Sequence, residues 1–159
     1  MMTEVGTPRA RRDPDLNAVI LVGGKSRRMG RPKQVLNHEG TTLAEIAVAA
    51  VEGSVQRVVL AGGGPVPGKL DGLDRLADLP GIAGPLGGIL AAMRHAPEAA
   101  WVVCACDLPR VRREAIEWLL SQRRPGVWAV LPRTSARQVE PLLAVYEPQM
   151  KIVLERRAE

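Results

Sequence analysis

The chain has 159 residues, 46% of them hydrophobic but only 3% aromatic and none of them Phe, with a net charge of +5 at neutral pH. That length suits one domain burying about two-thirds of its unfolded surface, around a core of Leu, Val, Ile and Ala. A membrane span is excluded, since no apolar run approaches the roughly 18 residues a bilayer needs; no apolar segment follows the N-terminal basic residues to make a secretory leader, and the chain reads as cytoplasmic.

Residues 1–16, with Arg9, Arg11 and Arg12 beside Pro8, Asp13 and Pro14, read as a flexible arm, and 17–159 as the folded domain. An apolar run over 18–22 predicts a strand buried on both faces of a parallel sheet. A basic, glycine-containing loop follows. Residues 34–36 read as a short extended piece, and Asn37-His38-Glu39-Gly40 as a turn. Thr41 or Thr42 caps a helix, with Glu45 placed to complete a capping box with Thr42. That helix runs to about Glu52 and stops at Gly53. A second buried strand is expected over 55–61, broken by Gly62-Gly63-Gly64-Pro65, and a third, shorter one over 73–77. After a loop over 78–85, a helix is expected over 86–94. Gly87 and Gly88 sit inside it, each costing about 1 kcal/mol against Ala; a close approach by ligand or backbone would explain them. Residues 101–105 read as a strand ending at Asp107. An amphipathic helix over 111–124 places Val111, Ala115, Trp118 and Leu119 on one face. Strands over 127–131 and 142–146 and a helix from Pro148 onward complete the pattern. Alternation of strand and helix predicts an α/β fold: a single-domain, doubly wound, mostly parallel sheet.

The charge hints at polyanionic ligands. Nucleic acid is not expected, because few aromatics are available for stacking and no helix carries a continuous basic stripe. Cys104 and Cys106, two apart in a strand, share a face and read as small buried side chains; two thiols alone make no zinc site. The run Gly23-Gly24-Lys25-Ser26-Arg27-Arg28-Met29-Gly30-Arg31-Pro32-Lys33 is different. Glycines let the backbone approach a ligand closely, and bare N–H groups flanked by Arg and Lys form an anion cradle suited to a triphosphate. The run fits neither the GxxxxGK[ST] nor the GxGxxG pattern.

In doubly wound sheets the ligand sits beyond the carboxyl ends of the strands. Three polar groups fall there: the basic loop, Asp78 and Asp107. Asp107 facing a phosphate site suits Mg²⁺, which binds one or two carboxylates plus substrate phosphates; it would equally serve as a helix cap. Lys33 can neutralise phosphate oxygens as pyrophosphate leaves. Arg27 and Arg28 are candidates for the same work or are solvated surface, and Met29 reads as packing. Asp78 either caps its loop or accepts the paired N1–H and 2-amino donors of guanine. His38 and His95 read as surface residues.

Residues 21–30 with Lys33, then Gly84-Pro85-Leu86-Gly87-Gly88, then Cys104-Ala105-Cys106-Asp107-Leu108-Pro109 resemble, in order, the three signatures of the molybdenum cofactor guanylyltransferases. The resemblance spans about residues 17–148. The related cytidylyltransferases usually show Ala-Gly where this chain has Gly23-Gly24. What the resemblance implies is a Rossmann-like nucleotidyltransferase that joins GMP from GTP to molybdopterin with Mg²⁺, releasing pyrophosphate. Leu21, Val22, Gly23 and Gly24 would hold the nucleotide through backbone contacts, Arg27 and Lys33 would meet its phosphates, Asp78 would bind guanine, and Asp107 the metal. Relatives often carry Asn at the position of Ala61, so a contact there would come from backbone. Glu140-Pro141 stands where relatives often show Gln or His before the proline, on the pterin side. The family's usual Asn-Thr-Pro segment and last helix have no counterpart before Glu159, so the domain reads as shortened at its C-terminus. Molybdoenzyme-specific chaperones are implied as further partners. Alternatives are a CTP-dependent or other NTP transferase, including one with a sugar phosphate acceptor, and a nucleotide-binding partner in cofactor insertion without turnover.

Overall fold

The structure, a computed structural model, describes residues 14–23, 32–133 and 137–159. The apolar run forms β1 (Leu16–Leu21). A 3-10 turn, Lys33–Val35, replaces the extended piece expected at 34–36, and leads into a small hairpin of β2 (Asn37–His38) and β3 (Thr41–Thr42). Its two central residues, Glu39 at φ 52° and Gly40 at φ 88°, lie in the left-handed region, as a type I′ hairpin turn requires. The sequence marked the turn, but two-residue strands are too short to show a period.

Helix α1 (Leu43–Val51) begins as expected: the Thr42 hydroxyl accepts from the Glu45 amide and the Glu45 carboxylate accepts from the Thr42 amide. There follow β4 (Arg57–Ala61), β5 (Asp74–Leu76), α2 (Pro85–His95), β6 (Ala100–Ala105), α3 (Arg113–Ser121), β7 (Ala129–Val130), β8 (Leu143–Tyr146) and α4 (Met150–Ala158). Most differ from the sequence reading only at their ends. One face assignment was wrong. Trp118 is 52% exposed, while Ile116 and Leu119 are buried. At 100° per residue Trp118 sits about 200° round the helix from Ile116, and the branched aliphatic side chain takes the core. Another strand is much reduced: of 127–131 only Ala129–Val130 pairs, because β7 lies at the sheet edge and has β8 alone as a neighbour.

The sheet order is β5-β4-β1-β6-β8-β7. β5, β4, β1 and β6 run parallel, and β8 pairs antiparallel with β6. Alternate residues of β1 enter opposite cores. Ala18 and Ile20 pack with Ala47 and Val51 of α1 and with Ile116 and Leu119 of α3. Val19 packs on the other face with Met93 of α2, Trp101 and Tyr146. The sheet is thus covered on both sides, which is why β1 and β6 read as unbroken apolar runs. No helix among the described residues is long and apolar enough to cross a membrane.

Candidate active site

The chain winds from β1 outward to β4 and β5, then returns to place β6 on the other side of β1. The order reverses between β1 and β6, and in doubly wound sheets ligands bind beyond the carboxyl ends of the strands at such a switch point. Lys33 and Asp107 meet at this end. Asp107 follows β6 by two residues, and the Cys106 amide donates to the Leu21 carbonyl at 3.2 Å, tying the two strand ends together. Lys33 opens the 3-10 turn, and its Nζ donates to Asp107 Oδ2 at 2.8 Å. The side chains are 39% and 43% exposed, so the pair fronts solvent. The hydrogen bond and charge of Asp107 raise the Lys33 ammonium above its ordinary value.

Two glycine loops form the floor. The Val22 amide donates to the Ala61 carbonyl at 2.8 Å. A Cβ added at Gly62 would lie 1.7 Å from the Val22 carbonyl oxygen, and one at Gly23 would lie 2.8 Å from the Gly63 oxygen. Both glycines have positive φ, so the two loops meet as bare backbone. Arg75, from β5, donates through Nη2 to the carbonyls of Gly62 and Gly64 at 3.0 and 2.9 Å and fixes the second loop. The carbonyls of Leu21 and Ala61 are therefore already engaged within the protein. Ala61 is itself buried, and the surface beside it belongs to Gly62–Gly64.

Asp78 lies between that loop and the first turn of α2. Cβ atoms added at Gly88 and Gly62 would stand 3.3 Å from its Oδ1 and 3.8 Å from its Oδ2. Gly87 and Gly88 are thus explained by close approach within the protein: a Cβ on Gly87 would meet the Ile82 carbonyl oxygen at 3.0 Å, and one on Gly88 the Leu21 side chain at 2.9 Å. The structure brings together Leu21, Val22, Gly23, Ala61 and Asp78 as a floor, with Lys33 and Asp107 at its edge. Gly24, Arg27, Arg28 and Met29 lie outside the described residues. His38 and His95 are exposed. Glu140 accepts from the Leu142 amide at 3.4 Å, a turn contact just before β8.

Cys104 and Cys106 are buried free thiols. Burial pushes Cys104 up to about 12 and Cys106 up to about 11, in each case aided by the Asp107 charge. Both stay protonated at neutral pH, which leaves them poor nucleophiles. Among the described residues no three His, Cys, Asp or Glu side chains gather to hold a metal. A concavity of about 1360 Å³, lined by Asp15, Asn17, Arg123, Trp128 and Glu147, opens at the amino ends of β1 and β6. It contains none of the residues above, so its size does not locate the chemistry. Sequence reasoning missed Gln34 and Arg75. Neither belongs to a motif; Arg75 acts through glycine carbonyls 11 and 13 residues away.

Glycine loops, a lysine–carboxylate pair and a second acid at the switch point of a doubly wound sheet fit an α/β nucleotidyltransferase. The family described as the MobA-like NTP transferase domain matches residues 18–158, and the chain belongs to it. A probable molybdenum cofactor guanylyltransferase of Bacillus mycoides is 30% identical over 138 residues, covering 84% of this chain and 68% of that protein. One from Pelotomaculum thermopropionicum is 34% identical over 128 residues, covering 80% and 62%. Among solved structures, molybdopterin-guanine dinucleotide biosynthesis protein A of Archaeoglobus fulgidus superposes with a TM-score of 0.68 at 29% identity, covering 89% of this chain and 72% of that one.

Proposed function

We propose that this nucleotidyltransferase moves GMP from GTP to the phosphate of molybdopterin, releasing pyrophosphate. The names of the relatives in Bacillus and Pelotomaculum support GTP and the cofactor as substrates. The observation that carries the reading is the Lys33–Asp107 pair at 2.8 Å, just beyond the carboxyl ends of β1 and β6.

One exposed carboxylate beside a phosphate-facing lysine fits Mg²⁺, which keeps several waters and binds through one or two carboxylates plus substrate phosphates. Asp107 would hold the ion, which would supply charge neutralisation at the triphosphate. The remaining work falls to the chain. Bare backbone at Gly23, Gly62 and Gly63 admits the nucleotide close to the strand ends. Asp78 accepts the two adjacent donors of guanine. Lys33 exchanges its contact with Asp107 for the phosphate oxygens, where its charge stabilises the pyrophosphate leaving group. The acceptor phosphate attacks the α-phosphorus in line; no covalent enzyme intermediate is required, and positioning provides much of the rate.

Pyrophosphate release from GTP, Mg²⁺ and molybdopterin tests the reading, run beside CTP and with Asp78→Asn. The expected outcome is turnover with GTP well above CTP, and a preference that falls about tenfold or more in Asp78→Asn as one hydrogen bond to a charged group is weakened. Equal use of CTP would reassign the base. GTP binding without pyrophosphate would leave a nucleotide-binding partner in place of an enzyme.

A further inference from the structure

Gln34 is the middle residue of the 3-10 turn and is 1% exposed. Its Oε1 and Nε2 are buried with no hydrogen-bond partner, and no other side-chain atom among the described residues is in that position. A buried polar group without a partner lowers stability, and an apolar side chain of the same length would avoid the loss. The fold therefore gains nothing from an amide here, and such a group calls for another explanation.

Its surroundings are those of the site. Lys33, the preceding residue, holds Asp107. A Cβ added at Gly64 would lie 2.8 Å from Gln34 Nε2, so the amide abuts the loop that follows β4. The carbonyls of Gly62 and Gly64 already accept from Arg75. A neutral group with one acceptor and two donors thus stands unpaired at the seam between the lysine turn and the glycine loop.

We propose that Gln34 is a further nucleotide-recognition residue, whose amide hydrogen-bonds the nucleoside half of the substrate when the Gly62–Gly64 loop parts from the turn. Phosphate would use only its NH2 donors and leave the amide oxygen unpaired, and Lys33 already serves that charge. A base edge or a ribose hydroxyl presents donor and acceptor together, which an amide matches. The inference rests on the nucleotidyl-transfer reading above.

Titration calorimetry of wild type and Gln34→Met with GTP, 2′-deoxyGTP and inorganic tripolyphosphate tests it, together with melting of the free proteins. Gln34→Met is expected to melt at or above the wild-type temperature, to bind GTP about tenfold more weakly, and to bind tripolyphosphate unchanged. Loss of the wild-type preference for GTP over 2′-deoxyGTP in the variant assigns the contact to the ribose; a preserved preference assigns it to the base. Unchanged GTP affinity in Gln34→Met, or an equal loss on tripolyphosphate, overturns the proposal. If that variant does not fold, Gln34→Asn decides, since it keeps a neutral amide but falls one methylene short: weaker GTP binding with normal tripolyphosphate binding supports the role, and full GTP affinity removes it. Failure of the wild-type protein to bind GTP would instead sink the functional reading itself.

Discussion

Lys33 and Asp107 are 74 residues apart in sequence and 2.8 Å apart in space. Both are exposed enough that their pairing contributes little to stability, since exposed ion pairs are worth about 0–1 kcal/mol. Asp107→Ala should accordingly leave the melting temperature almost unchanged and lower pyrophosphate release on the order of a hundredfold or more, as expected when a charge acting on the transition state is removed. Retained turnover would take Asp107 out of the site. The sign of the pH effect is set by Lys33, whose value is raised by Asp107. Whatever the pair adds is fully present below the unfolded lysine value of about 10.4 and is lost as pH rises through the higher folded value. At this scale the acids at strand ends were legible, because a carboxylate after an apolar run has few other reasons to stand there. Gln34 was not, because a polar residue in a turn looks solvated until burial is known.

Helix α1 shows how far local chemistry carries an element. Its capping box can be read from Thr42 and Glu45 alone, and the structure adds Lys69, whose Nζ lies 3.2 Å from Glu45 Oε1. Thr42→Ala should cost about 1 kcal/mol in thermal or urea unfolding. Hydrogen bonds from the Thr42 hydroxyl and amide lower the Glu45 carboxyl below its ordinary value. The contribution is therefore complete above about pH 4.3 and is lost as pH falls through the depressed folded value. The gap between wild type and Thr42→Ala should narrow on acidification; a gap that widens below pH 4 would exclude the capping box as its source. Helix α3 marks the limit of the same method. Apolar residues at several spacings allowed more than one face, and only packing against α1 and the sheet decided for Ile116 over Trp118.

The whole molecule turns on a sheet enclosed from both sides, with β6 buried along its full length. Trp101 is fully buried there and donates from Nε1 to the Ala96 carbonyl at 3.3 Å. In a chain with few aromatics no neighbour can refill that volume. Trp101→Ala should cost about 3–5 kcal/mol in equilibrium unfolding, and a loss under 1 kcal/mol would show that the core does not depend on it. Sequence alone determined the α/β class, the existence of the long strands and helices, the capping box and the acids at strand ends, because each depends on periodicity or on neighbours within a few residues. Tertiary structure decided which loops touch, which face of α3 is buried and which buried amide lacks a partner. Those outcomes depend on residues brought together by strand order, and strand order follows from how two faces of one sheet are covered at once.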